Sequence, residues 1–188
     1  MTLKSEIRVK IKSLQASYSP SEIKNQSKII CTHLLRWFES RDIEHVGIYI
    51  AMPDEINLSM FADHLLAQGR KVYAPKYITA DMGYSFCEIK SDSIMKVGKF
   101  NLPEPLGAPT DLNQIQAILA PGLAFDSTGV RLGRGRGFYD RIFSAFRGIR
   151  IGICNQSRII PKLPHDDWDQ LVHWVCNEKD GMKECRGS

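Results

Sequence analysis

The 188 residues carry 43% apolar side chains and a formal net charge of +4, enough to bury one core without staples and too little positive charge to imply nucleic acid by composition. The five cysteines, Cys31, Cys87, Cys154, Cys176 and Cys185, lack the close pairs of a zinc ribbon or redox dithiol, so reduced, buried thiols are expected. No stretch approaches the roughly 20 apolar residues of a bilayer span, and the first residues are charged and amphipathic, unlike a signal peptide; a single cytoplasmic domain over 1–188 with no membrane partner is expected.

Leu3, Ile7, Ile11 and Leu14 recur at helical spacing, with Lys4 and Arg8 one turn apart on the neighbouring face, so a first helix would turn both cations the same way. Ser19 and Glu22 form a capping-box pattern ahead of a second helix through Ile23, Ile30, Leu34 and Phe38, ending near Ser40. His45 to Ala51 reads as a buried strand, Met52 to Glu55 as a loop, Asn57 to Gln68 as a helix stopped by Gly69, and Lys71 to Ala74 as a strand ended by Pro75. Strand, helix and strand in that order make a parallel crossover unit. Tyr84 to Ile89 suits an edge strand, and Pro103, Pro105 and Pro109 mark a long loop. Gln116 to Ala120 is a strand leading into Pro121 and Gly122, Phe138 to Phe146 is helical, and Ile149 to Cys154 and Val172 to Cys176 close the sheet.

The densest positive run, Arg131-Leu132-Gly133-Arg134-Gly135-Arg136-Gly137-Phe138-Tyr139-Asp140-Arg141, lies between a strand and a helix. Glycines at 133, 135 and 137 let backbone approach an anion, the helix start offers amide donors, and the arginines add charge-assisted bonds. Asp140, just inside the helix, is placed to hold magnesium against phosphates. The run lacks the Gly-Lys-Ser/Thr ending of a Walker loop. The pattern alone equally suits a basic turn with Asp140 complementing the helix dipole. A single short copy between ordered elements argues against an Arg-Gly contact with nucleic acid.

The segment Ala120-Pro121-Gly122-Leu123-Ala124-Phe125-Asp126, then Gly129 and the run from Arg131 to Arg141, closely resembles the signature of 5-formyltetrahydrofolate cyclo-ligases. Lys4, Arg8, Ser27, the Glu55 loop, Gly98, Glu104-Pro105 and Leu163-Pro164 before Asp169 fall in the same order as in that family, so the resemblance covers almost the whole chain. It implies a Rossmann-like α/β domain, three-layered, with a mostly parallel central sheet flanked by helices, in which ATP and a reduced folate meet above the C-terminal strand ends. The implied reaction is ATP- and Mg2+-dependent closure of 5-formyltetrahydrofolate to 5,10-methenyltetrahydrofolate. The formyl oxygen attacks the γ-phosphate, and N10 displaces phosphate from the resulting iminophosphate.

By position, the resemblance makes Lys4 and Arg8 nucleotide-phosphate contacts, and Arg131, Gly133, Arg134, Gly135, Arg136, Gly137, Phe138 and Tyr139 the ATP-binding loop. Arg136 would stabilise charge on the γ-phosphate and Tyr139 would border both ligands. Glu55 would grip the pterin beside Met52 and Tyr49, and Asp140 and Asp169 would attend magnesium. The chain departs from the family in two places: Trp168 precedes Asp169 where His is usual, and Arg158 stands where a glutamine is usual. A monomer is expected, with the folate and ATP as its small-molecule partners. Two other readings are a binding module that clamps an anion without chemistry and would not need Glu55 or Asp140, and an isomerase or acyl-transferase, for which no Ser or Cys is well placed.

Overall fold

The computed structural model describes residues 2–15, 18–79, 83–98 and 101–187. Helix α1 (Leu3–Gln15) docks through Ile7 and Ile11 onto a small apolar cluster with Leu123, Val130, Leu132 and Leu163. Leu3 departs from the expected stripe and is 61% exposed, because the first turn reaches past that cluster toward residues 166–169, where Lys4 finds its partners. The side chain of Leu14 lies outside the described residues. Helix α2 (Pro20–Glu39) opens on the expected capping box, with Ser19 Oγ accepting the Glu22 N–H and the Glu22 carboxylate accepting the Ser19 N–H. Its Ile30, Leu34 and Phe38 enter the main core.

After β1 (His45–Gly47) come α3 (Ser59–Ala67), β2 (Lys71–Thr79) and β3 (Gly83–Ile89). The hairpin β4 (Met95–Val97) and β5 (Pro103–Pro105) precedes β6 (Ala117–Pro121). A short ribbon, β7 (Ala124–Phe125) and β8 (Arg131–Leu132), leads to α4 (Phe138–Ala145), then β9 (Ile149–Ile153), β10 (Trp174–Asn177) and β11 (Gly181–Glu184). The main sheet runs β11-β10-β9-β6-β1-β2-β3, parallel from β10 to β2 and antiparallel at both edges. The mostly parallel α/β sheet expected from the sequence is therefore present. The right-handed crossover rule puts α3, between β1 and β2, on the face opposite α4, between β6 and β9.

Three local expectations need correction. β1 stops at Gly47, not Ala51: after the Ile48 N–H donates to Tyr73 O, the Tyr49 hydroxyl turns to Ile56 O at 2.6 Å and the chain leaves the sheet. β2 does not end at Pro75. Tyr73 faces β1, so two residues on Pro75 faces the same side, where β1 has already gone, and its missing N–H costs no ladder bond. Pro103 to Pro105 form β5 of the β4–β5 hairpin while Pro109 stays in a loop as expected, and β11 adds an edge strand beyond β10.

One buried carboxylate ties the ribbon to the segment behind it. Asp126, 3% exposed, accepts from the N–H groups of Thr128 and Val130 on one oxygen and from Leu163 N on the other. Asp126→Ala leaves these donors buried and unsatisfied, so it is expected to cost about 3 kcal/mol, read as a lower urea midpoint at unchanged m-value.

Candidate functional site

The chain leaves β1 for α3 and β2 in one direction and leaves β6 for α4 and β9 in the other, although β1 and β6 are neighbours. Loops at such a topological switch point diverge and leave a crevice at the C-terminal strand ends. Here they open into a cleft of about 1010 Å³, bounded also by α1, the ribbon, the glycine-arginine loop and residues 166–169. Every residue singled out for ATP, folate or metal lines it: Lys4, Arg8, Tyr49, Met52, Glu55, the loop residues from Arg131 to Tyr139 named above, Asp140 and Asp169.

The glycine-arginine loop owes its shape to Gly135 and Gly137, whose φ values of +95° and +61° lie in the left-handed region that side chains disfavour. Gly137 is the N-cap of α4 and supplies no side-chain acceptor, so the first amides of that helix remain uncapped beside the cleft. Arg8 steadies the loop from α1, donating from Nε to Gly133 O at 2.9 Å.

Three charge pairings organise the walls. Arg131 is buried and reaches both carboxylate oxygens of Asp140 at 3.1 and 3.2 Å. Arg134 bridges to the loop after β1, meeting Asp54 at 2.8 Å and Glu55 at 3.2 Å. Glu55 is only 8% exposed and also accepts the Met52 N–H at 3.0 Å. Lys4 binds Asp166 at 2.6 Å and Asp169 as well. Burial alone would lower the Lys4 ammonium and raise the Asp169 carboxyl, but their mutual bonds prevail, leaving Lys4 above and Asp169 below its ordinary range.

The two aspartates expected near magnesium thus share a cleft but answer to different cations. Among the described residues no group of three His, Cys, Asp or Glu side chains forms a metal cluster. One or two carboxylates still fit magnesium, which takes its remaining ligands from water and substrate phosphates.

Aromatic rings close the other end. Tyr77, Tyr84, Phe138 and Tyr139 follow edge to face, with centroid separations of 5.3, 4.6 and 4.6 Å. Burial raises Tyr139 and Tyr49 well above the ordinary phenol range and Tyr84 to about 12, so all three stay neutral walls, not bases. Tyr77, Tyr84 and buried Glu104 also line the cleft, and sequence reasoning missed them as site residues because it ended β2 at Pro75 and took 103–109 for a loop. It also left open what Arg158 touches. Arg158 is 5% exposed and donates to Gly122 O at 3.1 Å and Asp54 O at 2.8 Å. Trp168, at the Lys4 end, is 71% exposed.

A model described as the 5-formyltetrahydrofolate cyclo-ligase family matches residues 1–178. A 5-formyltetrahydrofolate cyclo-ligase of Haemophilus influenzae is 28% identical over 171 residues, covering 87% of this chain and 91% of that protein. A probable 5-formyltetrahydrofolate cyclo-ligase of Schizosaccharomyces pombe is 26% identical over 187 residues, covering 90% and 92%. The solution structure of Aquifex aeolicus 5,10-methenyltetrahydrofolate synthetase superposes with a TM-score of 0.88 at 28% identity, covering 100% of this chain and 95% of that one.

The Lys4–Asp169 pair gives a signed pH dependence. A carboxyl lowered on folding adds stability above its unfolded value of 3.8, lost as pH falls through the folded one. The stability gap between wild type and Asp169→Asn should therefore be fully open near about pH 7 and shrink as the pH falls below the unfolded value of 3.8, as followed by urea unfolding at each pH.

Proposed function

We propose, from the premise that this chain belongs to the 5-formyltetrahydrofolate cyclo-ligase family, that it converts 5-formyltetrahydrofolate to 5,10-methenyltetrahydrofolate with consumption of ATP. The observation that carries this reading is the meeting, through Arg134, of a buried carboxylate at 55 and a glycine-arginine loop within one cleft. Glu55 accepts from the amino-pyrimidine edge of the pterin, with Met52 and Tyr49 beside it. The triphosphate lies along Gly133 to Gly137, where backbone amides, Lys4, Arg8 and the loop arginines meet its oxygens.

A formamide oxygen is a poor leaving group, so the reaction begins with its transfer into a phosphate ester. The formyl oxygen attacks the γ-phosphorus in line, the bond to the β-phosphate oxygen breaks, and ADP leaves. N10 then adds to the activated carbon, loses its proton, and phosphate departs with the former formyl oxygen, leaving the methenyl bridge. The chain's part is alignment and neutralisation of the equatorial oxygens, chiefly by Arg136, with the rings of Phe138 and Tyr139 screening the reacting atoms from water. Asp140 and Asp169, once their cation partners turn to phosphate, would hold a magnesium ion, which would supply positive charge against the phosphates.

Among the described residues no helix is long and apolar enough to cross a membrane, and the five cysteines are buried without forming a disulfide, which supports a reducing, cytoplasmic setting.

Purified protein with 5-formyltetrahydrofolate and magnesium should develop the near-ultraviolet absorbance of the methenyl product only when ATP is added. Absence of product with every component present would remove the proposal. Arg136→Ala should lower kcat by about 10² to 10³ while the thermal midpoint stays near wild type, since the residue is exposed. Equal losses of stability and activity would make Arg136 structural. Asp140→Asn should raise the magnesium needed for half-maximal rate, and an unchanged metal titration would take Asp140 out of the site.

A further inference from the structure

The two lips of the switch-point crevice, Asp54 after β1 and Gly122 after β6, share no strand pairing, yet one buried side chain grips both. Arg158 rises from the short turn after β9 and donates Nη2–H to Asp54 O at 2.8 Å and Nη1–H to Gly122 O at 3.1 Å. Its two terminal nitrogens bind backbone carbonyls and not a carboxylate, and its Nε, also buried, has no partner among the described residues. A buried guanidinium that forms no ion pair among the described residues is costly, so the position is not one that stability alone favours.

We infer that Arg158 is a positioning residue for the reaction, a clasp whose planar fork fixes the folate-binding lip against the strand end beside the phosphate loop. This rests on the placement of folate at Glu55 proposed above. Asp54 is peptide-bonded to Glu55, so holding the Asp54 carbonyl sets the peptide plane from which Glu55 projects. The loop has a second anchor in Arg134, but that residue belongs to the glycine-arginine loop and its side chain is one-third exposed. When Arg134 turns to phosphate, Arg158 remains to keep the loop in place. The phosphate loop itself is secured elsewhere, by Leu123 N to Leu132 O and by Asp126, which accepts from Val130 N at its base. Losing the clasp should therefore disturb folate alignment and spare nucleotide binding. Lysine is no substitute, because a point ammonium lacks the fork that spans two acceptors.

Steady-state kinetics of wild type, Arg158→Met and Arg158→Lys, varying each substrate in turn, test this. Both variants should lose on the order of 10²-fold in kcat/KM for the folate, with KM for ATP within about twofold of wild type. Arg158→Lys keeps a buried cation and serves if the methionine variant fails to fold. Equal losses for both substrates, unchanged folate kinetics, or full recovery by lysine would each overturn the clasp. A wild type that binds both ligands yet forms no product would instead count against the reaction proposed above.

Discussion

Concentrating Lys4, Arg8, Arg131, Arg134, Arg136 and Arg141 around one cleft is unfavourable unless the charge is compensated. The fold answers with carboxylates drawn from distant parts of the chain: Asp140 for Arg131, Asp54 and Glu55 for Arg134, Asp166 and Asp169 for Lys4. Much else follows from this constraint. α1 has to dock where Lys4 can reach the 166–169 segment, Asp126 has to hold the ribbon against Leu163, and the loop after β1 has to lie within reach of the glycine-arginine loop. The exposed members of these pairs contribute little to stability, since screening and side-chain entropy offset their attraction. Their weight falls on the arrangement of the site.

Much of the fold could be read from local pattern. The Ser19 and Glu22 capping box, the Gly69 helix stop and the glycine-arginine run each carry their own physical reason within a few residues. What escaped notice depends on neighbours. Pro75 reads as a strand end unless one knows that β1 departs at the adjacent position, and Leu3 reads as core unless one knows how far α1 overhangs its partner cluster. The pairings of the site were hidden for the same reason at longer range. Lys4 and Asp169 are separated by 165 positions, and Arg134 and Glu55 by 79, so no periodicity says which acid meets which base. The motif shows where positive charge gathers, and only the folded chain shows which carboxylates meet it.

Arg158 differs from the other cations in this respect. Lys4, Arg134 and Arg131 are held by carboxylates that an anionic ligand can replace, so each can exchange partners as a polyphosphate enters. Arg158 holds backbone carbonyls, which no ligand displaces and which move only if the strand ends move. In the proposed reaction the first group re-pairs: Arg131, Arg134 and Lys4 turn to phosphate, and the released Glu55, Asp140 and Asp169 become acceptors for the pterin edge and for magnesium. Such an exchange gives each released carboxylate a new partner and avoids leaving one buried and unpaired. It requires that the two lips stay still while the side chains between them change partners, and that requirement is met by a clasp on the backbone, not by a further ion pair.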